Sequence, residues 1–206
     1  KLLSKFMSVK INYTNNSKDK ALANTILFVD EKFNINSIKN KISANEFSYI
    51  HDLLKTSDLK KRIFLFELNS KRKIFLIAIK NNIKSSDIEN LGAELFGRIN
   101  HGKNSEYFLN TDSVIGKNEN FVGHFLHGLK LKSYEFKKYK TKKDSRIISI
   151  NVTGEKKPST KNQLKFKALE AGTFFARDLV SEPGNILHPD EYAKRLNTLK
   201  KDGLKV

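Results

Sequence analysis

His124 and His127 stand three residues apart, a spacing that puts two imidazoles on one face of a helix where they could share a zinc ion. Such a site needs a third ligand, and zinc helices more often use the i, i+4 HExxH arrangement. Neither is visible, so the pair is expected to be partly exposed on an amphipathic helix. His51, His101 and His188 are isolated. Two carboxylates invite the same question. Asp190 follows Pro189 in what reads as the first turn of a helix, where it meets the positive end of the helix dipole, and Glu182 reads as a loop hydrogen-bond acceptor. Neither is expected to bind metal. The chain has no cysteine, which excludes disulfides, thiolate metal sites and a cysteine nucleophile and fits a reducing compartment. Gly92, Gly97 and Gly102 do not form GxGxxG, and Gly116 with the Lys-Asn after it lacks the earlier glycine of a phosphate loop, so no nucleotide motif is present.

Charge suggests a different partner. Lys and Arg number 39 against 22 Asp and Glu, a net charge of +17 that attracts phosphate or acidic surfaces. Between Lys130 and Lys143 the cations interleave with Tyr134, Phe136 and Tyr139, and Lys137, Lys138, Lys140, Lys142 and Lys143 could contact phosphates while the rings stack on bases. Lys, Asn and Ile are abundant throughout, the mark of AT-rich coding. A solvated basic face is therefore the expectation, and a nucleic-acid-binding α/β module the alternative. No run approaches the roughly 18 to 20 apolar residues of a membrane helix, so no membrane partner is expected.

These residues must be carried by a small number of elements. At about 150 residues per domain, 206 residues allow one domain and part of another. VKINY, TILFV, EYFLN and RIISINV read as strands. RIFLFEL and KIFLIAI, separated by NSKR, read as a hairpin of two central strands, because both are apolar without interruption. Ser43 with Glu46 is a capping box, followed by Phe47, Ile50, Leu53 and Leu54 on one helical face, with an end near Lys55. Ser86 with Glu89 predicts a second capping box before Ile88, Leu91, Leu95 and Ile99. ENFVGHFLHGLKL predicts the amphipathic helix of the two histidines. Beyond Thr160 a long helix presents Leu164, Ala168, Ala171, Phe175 and Leu179 as its apolar stripe and ends before Pro183-Gly184. The alternation defines an α/β layered fold with a mixed sheet.

The segment EAGTFFARDLVSEPGNILHPDEYAKRLNTLKKDGLKV resembles the interdomain junction of the leucyl (cytosol) aminopeptidases. The matching residues are Ala176, Arg177, Asp178, Leu179, Val180, Glu182, Pro183, Asn185 and Pro189, with Ser181 where Asn is usual and His188 where Thr is usual. GLKLKSYEFKKYKTKK, from Gly128, is similar to the segment that leads out of that family's amino-terminal domain. The resemblance implies a three-layer α/β/α macro-domain-like domain over 1–150, a linker and connecting helix over 151–181, and the start of a truncated α/β catalytic domain over 182–206. It implies a cytoplasmic homo-hexamer that releases amino-terminal residues from peptides with two divalent metal ions, Mn or Zn, in the full-length enzyme. The family's metal-ligating NTDAEGR-type segment is not in this sequence, so no catalytic or metal-binding residue and no cofactor is expected in this chain, and it is expected to be inactive alone. Met7 is read as the natural start, with Lys1 to Phe6 as upstream read-through.

Overall fold

Two apolar runs form the middle of the molecule. The structure, a computed structural model, describes residues 9–14, 23–101, 105–116, 120–141 and 146–206. Met7 and the six residues before it lie outside that set. Strand β2 (Asn24–Asp30) pairs in parallel with β4 (Lys73–Ile79), Ile26 opposite Phe75 and Phe28 opposite Ile77. Alternate residues feed two cores. Ile26, Phe28, Phe75 and Ile77 point to one face, and Leu27, Val29, Leu76 and Ala78 to the other. Double burial of this kind is why both strands are apolar without interruption.

Strands β5 (Glu106–Asn110), β6 (Ile148–Thr153) and β1 (Val9–Tyr13) extend the sheet in parallel beyond β2. On the other side β3 (Ile63–Glu67) joins β4 as an antiparallel hairpin partner, giving the order β1-β6-β5-β2-β4-β3. The sheet is therefore mixed. The reading of RIFLFEL as a central strand is corrected, since β3 is the edge and Leu65 is 39% exposed. Its apolar content reflects covered faces: Ile63 enters one core and Phe66 the other, while Phe64 meets Phe33 edge to face. Coverage of a strand's two faces does not require neighbours along both of its edges.

The flanking helices complete three layers. On one face lie a 3₁₀ segment, Ile35–Lys41, and α1 (Ala44–Lys55); on the other lie α2 (Ser85–Ile99) and α3 (Phe121–Lys132). Helix α1 begins with the predicted capping box. The Glu46 backbone donates to Ser43 Oγ at 3.2 Å, and Glu46 Oε2 accepts from the Ser43 backbone at 2.8 Å. Glu46 Oε1 accepts from Arg72 Nε of the hairpin at 3.0 Å, which fastens the helix start to the sheet. Of the predicted face, Ile50 and Leu54 are buried and Phe47 packs on the core, but Leu53 turns outward.

The second predicted capping box does not form. Helix α2 starts at Ser85 with Lys84 at the cap position, so Ser86 is already inside the first turn, and Glu89 reaches His124 instead. Its apolar stripe is as expected, with Ile88, Leu91, Leu95 and Ile99 all buried. The amphipathic reading of α3 is also corrected, because residues from Phe121 to Lys130 are buried on nearly every side. Helix α2 approaches it backbone to backbone. A methyl group on Gly92 would lie 1.9 Å from the Phe125 carbonyl oxygen, and one on Gly128 1.9 Å from the Glu89 carbonyl oxygen.

After β6 the chain is tied back to the sheet: the Glu155 backbone donates to Asp112 Oδ1 and Lys156 Nζ to the Val114 carbonyl, each at 2.6 Å. Helix α4 (Thr160–Ser181) then opens with Ser159, whose Oγ accepts from the Asn162 backbone at 3.3 Å, and lies outside α3. The predicted stripe is not the face turned to α3, although Ala171, Phe175 and Leu179 of it are half-buried. Phe166, Glu170 and Phe174 face the domain, while Leu164 is 61% exposed and Ala168 exposed. A last helix, α5 (Pro189–Asn197), has no buried residue.

Candidate functional site

The seam between α3 and α4 collects the residues that the sequence singled out. At its start Phe166 lies between two imidazoles, its ring centroid 5.0 Å from that of His124 and 5.2 Å from that of His127. Gly123 leaves the room, since a Cβ there would come within 2.3 Å of the Phe166 ring. Of the pair expected to be partly exposed, His124 is, whereas His127 is buried. His124 Nδ1 is 2.7 Å from Glu89 Oε1, and the buried His127 has Nδ1 3.4 Å from Glu170 Oε1. Each carboxylate comes from a different neighbouring helix, which is why helical periodicity on α3 alone could not reveal it.

Glu170 is buried and its charge reaches further. Lys130, also buried, donates its ammonium to the Val9 carbonyl of β1; burial lowers its pKa, and the Glu170 carboxylate partly offsets that. Tyr13, at the end of β1, is pushed up to about 12 by burial and then by the Glu170 charge. A charged residue so nearly enclosed is tolerated because it is surrounded by groups of complementary polarity.

Further along α4 the two family-like segments meet. Tyr134 stacks obliquely on Phe174 at 5.4 Å, and its hydroxyl donates to Asp178 Oδ1 at 2.8 Å. The Arg177 guanidinium lies 5.5 Å over the Tyr134 ring and donates to the Leu131 carbonyl at 2.6 Å. Leu131 is in the last turn of α3, where carbonyls have no partner inside the helix, so Arg177 closes that helix while joining it to α4.

Glu182 ends the seam. Its side chain is only 1% exposed, and it accepts from Lys138 Nζ at 2.7 and 3.0 Å, from the Tyr139 hydroxyl at 2.8 and 3.0 Å, and from Arg195 Nη1 at 3.1 Å. Burial by itself would raise the carboxyl pKa. The donors, Lys138 first, outweigh it and hold the group below its ordinary value. The loop acceptor expected at this position is thus the meeting point of three segments. Of the remaining junction residues, Ala176, Val180, Pro183 and Asn185 are exposed, Leu179 is half-buried, and Pro189 opens α5.

This geometry leaves Glu182 no free oxygen for a metal, and Asp190 is exposed at the start of α5. Among the described residues no group of three or more His, Cys, Asp or Glu is placed to hold an ion. The lysines proposed to meet phosphate are partly engaged: Lys138 with Glu182, and Lys137 with Glu135 Oε2 at 2.5 Å. Lys140 is exposed, and Lys142 and Lys143 lie outside the described residues. Sequence reasoning missed Lys138, Tyr139, Phe166 and Glu170 as seam residues. The signal for the first two was present, because two segments resembling one family's junction are expected to touch.

The described elements form a three-layer α/β domain followed by a helical junction. No protein-family model matches the chain. A protein of Bradyrhizobium sp. named "Probable cytosol aminopeptidase" is 31% identical over 129 residues, which is 60% of this chain and 26% of the relative. One of the same name from Nitrobacter winogradskyi is 27% identical over 128 residues, covering 59% and 26%, and one from Methylorubrum extorquens is 38% identical over 89 residues, covering 41% and 18%. The chain thus spans about a quarter or less of the curated relatives it matches. Among solved structures, a tomato leucine aminopeptidase mutant superposes with a TM-score of 0.70 at 16% identity, covering 97% of this chain and 43% of that one. The bottromycin maturation enzyme BotP, also solved in complex with Mn, superposes with a TM-score of 0.61 at 14% identity, covering 89% and 38%. By sequence the chain is related to the cytosol aminopeptidases, and it has the fold seen in leucine aminopeptidase.

Proposed function

We propose that the chain is the amino-terminal portion of a metal-dependent leucyl aminopeptidase, a hydrolase that removes amino-terminal residues from peptides. The observation that carries this reading is the contact between the two family-like segments, Tyr134 to Asp178 and Lys138 to Glu182, in a chain related to cytosol aminopeptidases. Its own role is architectural. Residues 1–150 are assigned to the macro-like domain, with β6 completing the sheet at Thr153, 151–181 to the linker and connecting helix, and 182–206 to the start of a catalytic domain. Ala176, Arg177, Asp178, Leu179, Glu182, Pro183, Asn185 and Pro189 form the structural junction.

In the whole enzyme two divalent ions, Mn or Zn, would polarise the scissile carbonyl and lower the pKa of bound water. The residues described here do not fit those ions, so no step is routed through them. A cytoplasmic homo-hexamer belongs to the same reading; among the described residues no helix is long and apolar enough to cross a membrane.

Leucine-anilide hydrolysis with Mn²⁺ is the test. The pure 206-residue chain should release no aniline, whereas a longer product of the gene that carries NTDAEGR-like text should release it. Activity in the 206-residue chain would show that the site has been misplaced, and a longer product without activity would remove the aminopeptidase reading.

A further inference from the structure

We propose that the free edge of β3 is a docking surface for a second copy of this chain, the two β3 strands pairing antiparallel across a two-fold axis. Among the described strands β3 pairs only with β4. The Arg62 carbonyl accepts from the Ala78 N–H at 2.8 Å, and the Leu68 N–H donates to the Arg72 carbonyl at 3.0 Å. Alternation along an antiparallel ladder then turns the main-chain groups of Phe64 and Phe66 toward β4 and those of Ile63, Leu65 and Glu67 away from the sheet. Natural sheets blunt such an edge with lysine, proline or a bulge. Strand β3 has none of these: its register against β4 is unbroken from Ile63 to Glu67, and Leu65 stands exposed at its centre.

The occupant follows from charge. Lys60, Lys61 and Arg62 precede the strand and Glu67 ends it, so an antiparallel copy brings the cations of each strand to the carboxylate of the other. With Lys61 opposite Glu67, Ile63 faces Leu65 and Phe64 meets its own counterpart on the axis, apolar pairs of the kind that stabilise adjacent strands. Glu67 meets Lys73 of β4 through Oε1, and its second oxygen would take Lys61 of the second copy. A two-fold pairing uses the same edge on both copies and closes at two. The junction lies at the other side of the sheet. Lys130 and Lys157 reach the Val9 and Thr14 carbonyls at β1, which is five strand spacings, about 24 Å, from β3.

Sedimentation equilibrium of the 206-residue chain at roughly 100 µM, a concentration suited to a small interface, should give the mass of two chains. Lys61→Glu sets a carboxylate against Glu67 and should return the mass of one chain; adding Glu67→Lys should restore two. Leu65→Pro removes an N–H that points away from β4, and should give one chain with unchanged circular dichroism. The proposal is overturned if wild type is a monomer at this concentration, if the dimer survives Lys61→Glu or a folded Leu65→Pro, or if the charge swap fails to restore it. Each outcome is independent of leucine-anilide hydrolysis, which tests the aminopeptidase reading separately.

Discussion

Tyr134 and Asp178 are 44 residues apart in sequence and share a hydrogen bond of 2.8 Å. One leaves the end of α3 and the other lies near the end of α4, so the bond holds the two helices at a fixed relative position. Tyr134→Phe keeps the ring on Phe174 and loses only the hydroxyl, and should lower unfolding free energy by about 1 kcal/mol. Asp178→Ala should cost no more than this, because Ser181 remains beside the Tyr134 hydroxyl as another hydrogen-bond partner. Urea midpoints of the two variants check the order, and equal midpoints for wild type and Tyr134→Phe would remove this bond from the account.

The two sides of α4 give opposite expectations. Phe166→Ala empties the space between His124 and His127 and should cost about 3 kcal/mol or more, in the range for deleting a buried aromatic ring. Leu164→Ala, on the outward side, should change stability by no more than about 0.5 kcal/mol. Thermal denaturation of both variants decides which stripe meets the domain.

Helices α2 and α3 touch through their main chains at Gly92 and Gly128. A methyl group at either position meets a carbonyl oxygen that no rotamer change can move aside. Gly92→Ala and Gly128→Ala should therefore each destabilise by at least about 1–3 kcal/mol, the range for overpacking a core. Gly97, where added atoms meet nothing, is the control: Gly97→Ala should be stabilising, since alanine is the better helix former. A loss of stability at Gly97 matching that at Gly92 would contradict the close approach.

Glu182 makes the junction sensitive to acid. Its folded pKa lies below the ordinary carboxylate value, so the unfolded chain takes up the proton more readily. The stabilisation is complete above the unfolded value of about 4.3 and is lost as pH falls through the folded one. Glu46, held down by Arg72 and the Ser43 backbone against the opposing effect of burial, adds to the same limb. The melting temperature should drop below about pH 4, with a shallower drop in Glu182→Gln. An identical acid limb in that variant would show that Glu182 is not among the responsible groups.

Much of the architecture was legible because it depends on local pattern. Val9–Tyr13, Glu106–Asn110 and the capping box at Ser43 need only neighbouring residues to be recognised. The seam was harder. Helix α4 has apolar residues on two sides, and the true inner face is interrupted by Glu170, so periodicity favoured the cleaner outward stripe. Glu170 becomes an inward residue only once His127 and Lys130 are known to wait opposite, which is tertiary information. Ser86 and Glu89 matched a capping pattern, yet the helix began two positions earlier than that cap requires and His124 claimed the carboxylate. At the junction the family resemblance located Asp178 and Glu182, and the fold supplied the partners.

Strand β1 pairs only with β6 among the described strands, and the side chains of Asn12 and Asn151, 139 residues apart, join across that pair. A chain emerging from the ribosome must therefore hold β1 without this partner until β6, 139 residues further on, has been synthesised. Such late closure predicts slow folding and a long period in which β1 can be captured by a chaperone or by another nascent chain.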